Sequence, residues 1–284
     1  MEFINRAIAT KETGLSYLGV CSSSSKIKKN SKILNIDTYI LYLAPHLLSG
    51  YKTCPMATTD CIKGCLNTSG MAGMEIKSNN ESRIIKSRIE KTKMFYENRN
   101  FFFAWLIAEI KGAKKLSESK GNDFAVRLNG TSDLNWNVYK INGKTIFEIF
   151  PDVQFYDYTK VPSRFNNIPS NYHLTMSYTG YNWDACKTIL DKEYNVAVVF
   201  NIQKWYNNRI ENIVPLPKTF KGYPVIDGDV TDYRPYDEKG SIVALRFKRI
   251  ADKSVQENVI KSKFVIDPND KDCKYIVQTE KLEA

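Results

Sequence analysis

No apolar run in the 284-residue chain approaches the ~20 residues that a membrane-spanning helix needs, so no such helix is expected. No long apolar stretch follows Met1-Glu2-Phe3-Ile4-Asn5-Arg6, so no secretory signal is expected either. The expected setting is cytoplasmic, where thiols stay reduced. Histidine is scarce. Of the two present, His173 lies inside an apolar segment and reads as a core residue, while His46 stands near a group of cysteines. No glycine-rich fingerprint follows the first strand, which weakens a dinucleotide-binding reading. The net charge of +10, from 41 Lys plus Arg against 31 Asp plus Glu, is compatible with an anionic ligand or with nucleic acid. It does not decide between them, because the lysines form no single long run.

Three of the six cysteines fall within twelve residues, at Cys54, Cys61 and Cys65, with six and then three residues between them. The surrounding Thr, Asp, Lys, Gly and Asn are poor material for a core. Thiolates are the soft ligands of zinc and of iron–sulfur clusters, so this loop is a metal-site candidate. Three ligands leave a fourth position open for chemistry unless a distant residue such as His46 fills it. Cys21, Cys186 and Cys273 are scattered without partner spacing.

Hydrophobic and aromatic contents of 43% and 12% describe a globular chain. Residues 1–34 read as a flexible or peripheral lead-in, 35–250 as an α/β domain and 251–284 as a polar extension. The first strand, over 37–43, delivers the cysteine loop from its carboxyl end. A long amphipathic pattern over 81–116 predicts one helix or two in tandem, with Asn79 or Asn80 as cap. Its other face, with Arg83, Lys86, Arg88, Lys91 and Lys93, reads as a solvated basic surface. Strand-length apolar segments follow at 124–128, 153–156, 172–176, 196–200 and 242–245, with helical candidates at 144–150 and 182–193. This alternation predicts an incomplete (β/α) barrel of about six mostly parallel strands, with the cysteine loop after the first.

Ligands of parallel α/β folds bind at the carboxyl ends of strands, which makes the residues there candidates. Asn129-Gly130-Thr131-Ser132-Asp133 offers donors and acceptors to an amino-acid or ribose group, or is an ordinary Asx-rich turn. In Asp157-Tyr158-Thr159-Lys160, the acid and the Lys160 ammonium on one loop are expected to pair with each other or with a zwitterionic ligand. Asp227 and Asp229 suit a ribose hydroxyl or an ammonium better than a hard cation, since the calcium-loop pattern is incomplete.

The blocks from Cys54-Pro55 through Cys65-Leu66-Asn67-Thr68-Ser69-Gly70, Arg127 to Asp133, Phe150 to Lys160, Asn171 to Thr175 and Val225 to Asp229 resemble the phage gene-product-eighty-eight-like family over about residues 35–250. That resemblance implies a viral protein working in a bacterial cytoplasm. A more distant resemblance, to radical S-adenosylmethionine enzymes, rests on three cysteines in a loop after the first strand of a partial barrel. There the usual spacing is three and then two residues. The resemblance implies a [4Fe-4S] cluster on Cys54, Cys61 and Cys65 that binds S-adenosylmethionine. It also implies cofactor contacts from Asn129, Ser132, Asp133 and Lys160, an electron donor from the host, and a small-molecule or nucleotide substrate. The competing expectation is a non-enzymatic protein in which zinc on the same cysteines braces a nucleic-acid surface, with Trp136, Trp183 and Trp205 stacking on bases.

Overall fold

The computed structural model describes residues 2–275 apart from 21–24, 66, 68–74, 76–81, 207–208, 249 and 251; the side chains of 25–26 and 203–213 also fall outside the description. Asn79, Asn80 and Cys21 lie outside the described residues. The fold is mixed α/β around one ten-stranded, mostly parallel sheet that does not close.

Five strands follow one another in space as they do in sequence: β1 (Ile36–Ile40), β2 (Asp123–Arg127), β3 (Gln154–Thr159), β4 (Tyr172–Ser177) and β5 (Asn195–Phe200), each parallel to the last. The Val-rich runs of β5 and of β10 (Ile242–Arg246) are buried at most positions, as strands covered on both faces require. β10 is parallel to β5, and β9 (Tyr223–Asp227) is parallel to β10. The antiparallel β8 (Thr219–Phe220) and β12 (Cys273–Lys274) finish that edge. β11 (Val265–Ile266) pairs with the second half of β5. A separate hairpin is made by β6 (Gln203–Tyr206) and β7 (Arg209–Ile213).

The sheet therefore has ten strands where the sequence predicts about six. Of the additional ones, β8, β11 and β12 are two residues long each, and β9 contains Pro224, a residue that argues against a strand in sequence reading. All six predicted strands and both short helical candidates are present, the latter as α6 (Ile146–Ile149) and α7 (Trp183–Leu190).

The long amphipathic pattern forms two helices, α4 (Arg83–Glu97) and α5 (Arg99–Glu118), because Asn98 leaves helical geometry at φ −139°, ψ 67°. Ser82 caps α4, its hydroxyl accepting from the Ile85 N–H. α5 is the helical centre of the core: Phe102, Phe103, Trp105, Leu106 and Ile110 are all buried. Residues 1–34, expected as a peripheral lead-in, supply α1 (Arg6–Thr13) and α2 (Ser25–Leu34); Ala9, Leu15 and Leu18 belong to the main core. Glu109 of α5, wholly buried, ties that segment down through Arg6 (3.2 Å) and the Leu18 N–H (2.9 Å). The extension beyond 250 supplies α8 (Lys253–Ile260), β11 and β12. Among the described residues, no helix is long and apolar enough to cross a membrane.

One glycine is needed for this packing. A Cβ on Gly130, just past β2, would meet Ile40 Cγ2 at 2.5 Å and the Tyr42 ring at 2.7 Å. Gly130→Ala should therefore destabilise the protein by about 1–3 kcal/mol, as overpacking does. Urea unfolding of the variant beside the native chain checks this, and an unchanged midpoint would contradict the close approach.

Candidate metal centre

The chain leaves β1 through Leu41, Leu43 and Ala44, all buried, and turns at His46, whose φ of 52° is left-handed. That turn points the His46 backbone N–H at the Cys54 sulfur (3.3 Å). Thr53, fully buried, locks the return by donating to the Ala44 carbonyl (2.6 Å). Cys54 in turn donates to the Thr131 carbonyl at 3.8 Å. A short helix, α3 (Thr59–Lys63), carries Cys61; Thr58 caps it by accepting from the Cys61 N–H. Cys65 follows its carboxyl end, and its sulfur accepts from the Asn67 N–H (3.5 Å).

The three cysteines form no disulfide, are half-buried and lie within electrostatic reach at Cys65. Burial pushes the Cys65 thiol up to about 11, and the neighbouring Cys61 and Cys54 push the same way. Burial also raises Cys54, against the His46 N–H and the Thr53 hydroxyl. Two cations face them. Lys160, on the residue after β3, donates to the Cys61 sulfur; burial alone would lower its pKa, but Cys61, Asp133 and Cys54 together hold it above the ordinary value. Arg88 of α4 reaches Asn67 Oδ1 (2.6 Å), lies 4.9 Å over the Tyr42 ring and feels Cys65. Burial lowers its pKa.

Asn129, Ser132 and Asp133 stand beside the thiols, yet their polar groups serve the loop itself. Asn129 Oδ1 accepts from Ser132, Leu134 N and the Trp136 indole, and its amide donates to the Leu134 carbonyl. Asp133 is buried, pairs with Arg164 and accepts from the Lys160 N–H (2.9 Å); its own N–H donates to the Thr53 carbonyl (2.8 Å). The Asx-rich turn thus pins three strand ends together, and only Lys160 among these candidates faces the thiols. Asp227 and Asp229 are engaged elsewhere. Arg246 binds Asp227 through two 2.7 Å bonds and contacts Asp229 at 3.2 Å.

Three surface readings change. Trp136 is 1% exposed and hydrogen-bonded, so it presents no stacking face. Trp183 is half-buried against Phe220 at 5.9 Å, and the side chain of Trp205 is outside the described ones. Arg88 and Lys91, expected on a solvated basic face, turn inward. Lys91 is buried, with Ser16 and Ser87 at its ammonium. The sequence carried a signal for this: Arg88, Thr92 and Phe95 recur at helical spacing, and the last two are buried. What His46 contributes is its backbone.

Among the described residues, no group of three or more His, Cys, Asp or Glu is drawn close enough to hold a metal ion. The donor chemistry nonetheless fits a soft cation, because such an ion displaces the protons of the thiols it binds. Binding a metal or cluster calls for this loop to rearrange.

The chain's wider affinity can now be stated. The sequence model of the gene product 88 family matches residues 15–267. The chain belongs to that bacteriophage family. No curated protein and no solved structure matches it. The matched span takes in every strand from β1 to β11, with α3 and the thiols inside it, and stops short of β12.

Beneath the site lies Asp157 of β3, fully buried, accepting from the N–H groups of Leu128 and Asn129 (3.2 and 2.9 Å) and from the Tyr172 hydroxyl (3.1 Å). Burial lifts its pKa to about 7 against the opposing pull of Arg127 and these donors. An aspartate raised on folding keeps a proton that the unfolded chain releases above ~4. Its contribution is complete below that pH and lost as pH climbs through about 7. Asp157→Asn should remove this slope. Melting temperatures at pH 5 and pH 8 check it: the native chain should lose more stability over that interval than the variant, and equal losses would contradict the assignment.

Proposed function

We propose that this gene product 88 family protein is an iron–sulfur protein, with a [4Fe-4S] cluster held by Cys54, Cys61 and Cys65, acting as a radical S-adenosylmethionine-type enzyme. The observation that carries the reading is the gathering of three thiols, half-buried and paired with Lys160, at the carboxyl end of a parallel sheet. The unreversed order from β1 to β5 supports reading the open sheet as an incomplete (β/α) barrel.

When bound, such a cluster would supply one-electron chemistry to a cofactor at its unligated iron. The chain's own part is to position and to shield. The β1 turn and α3 present the sulfurs. Asp133, by holding the Lys160 N–H and Arg164, fixes where the Lys160 ammonium stands. That ammonium offsets negative charge on the thiolates and is the remaining candidate for contact with a carboxylate of the cofactor. Electrons would come from a donor of the host cytoplasm. Zinc on the same thiols, bracing a nucleic-acid surface, has less support, because Trp136 is buried and Arg88 and Lys91 point inward.

Anaerobic preparation with iron and sulfide should give about four irons and four sulfides per chain, with a brown colour that Cys61→Ala removes. The electron paramagnetic resonance spectrum of the reduced protein should shift when S-adenosylmethionine is added. One zinc with no iron would overturn the proposal.

A further inference from the structure

At the opposite end of the sheet, where β1, β2 and β3 begin, a depression of ≈ 350 Å³ opens between Ile36, Phe124, Tyr233 and Tyr236. Its size is at the low end of small-ligand sites. Because it lies at the amino ends of the strands, it is separate from the thiols, and nothing in the proposed function uses it.

The charges around it are lopsided. Glu118, Asp123 and Asp152 line it against one cation, Lys114, in a protein whose net charge is +10. Lys114 is already engaged, bridging Glu118 (2.9 Å) and Asp152 (2.8 Å). That leaves Asp123, exposed at the start of β2, with no ion pair to any described residue.

The aromatic wall supplies a second, independent observation. Tyr233 is 6% exposed and lines the cavity, yet its hydroxyl makes no hydrogen bond with any described residue. The ring is packed away while the hydroxyl itself stays accessible, so on a residue that lines the depression it is open to whatever enters. Asp123 and Tyr233 both line the depression and lie within electrostatic reach of each other. Tyr236 packs edge-on to Tyr233 with centroids 4.8 Å apart and is itself 68% exposed, so a ring face is left for a visitor.

We propose that this depression binds a small aliphatic ammonium compound. The ammonium would sit on the Asp123 carboxylate and the Tyr233 hydroxyl oxygen, with the Tyr236 ring adding cation–π attraction. Its methylene chain would lie along Ile36 and Phe124. A carboxylate or phosphate ligand is disfavoured by the same charges.

Isothermal titration with putrescine, at low and at moderate salt, tests this on the intact protein. Saturable one-to-one binding that weakens with salt is expected. Asp123→Asn should weaken it by about tenfold, as loss of a charge-assisted hydrogen bond does. Tyr233→Phe should weaken it several-fold with the ring left in place, and all variants should melt within a few degrees of the native chain. Acetate at the same concentration should give no heat beyond dilution. Absence of saturable putrescine binding, or equal binding by Asp123→Asn, overturns the proposal. Iron content plays no part in the readout, so its success or failure is separate from that of the cluster.

Discussion

Asp133 is the residue on which the upper end of the sheet depends. A buried carboxylate is costly unless every lone pair finds a donor. Asp133 meets that demand with Arg164 and the backbone N–H of Lys160, while its own N–H bonds the Thr53 carbonyl. One side chain and its peptide thereby join the cysteine loop, the turn after β2 and the end of β3. The position of Lys160, and with it the electrostatics of the thiols, follows from that junction. Arg164 carries the tie further, into the 3₁₀ turn over Pro162–Phe165 that leads to β4.

Burial decides how the site's charges behave. Burial lifts the Cys65 and Cys54 thiols, and two cations, Lys160 and Arg88, lean on the same loop. The two ends of the sheet differ: the thiols stand with Lys160 and Arg88 at the carboxyl end, and Glu118, Asp123 and Asp152 gather beside two tyrosines at the amino end.

Much of the frame was legible in the sequence. Val196 to Phe200 and Ile242 to Leu245 announce buried parallel strands because both faces must be apolar, and the segments around them alternate as a parallel sheet requires. Two-residue strands such as β11 and β12 leave no such periodicity, since pairing rather than hydrophobic pattern makes them. The first 34 residues looked peripheral by composition, yet a few apolar anchors, Ala9, Leu15 and Leu18, suffice to dock them. For the site, the thiols and Lys160 could be named from their place after strands. The roles of Asn129, Ser132 and Asp133 could not, because a turn that satisfies itself and a turn that waits for a ligand are spelled alike. Arg88 was hidden by the habit of assigning long basic side chains to solvent.

α8 and β11 have a bearing on how the thiol loop is made. Gly64, at the end of α3, has Val259 and Phe264 where a Cβ would meet them at 3.2 Å, so the loop leans on a segment far downstream in the chain. Translation runs in one direction. When Cys54, Cys61 and Cys65 leave the ribosome, the wall behind them has not yet been synthesised, and the thiols stand unshielded until α8 arrives. Access to the loop is thus widest between emergence of the cysteines and docking of the last helix.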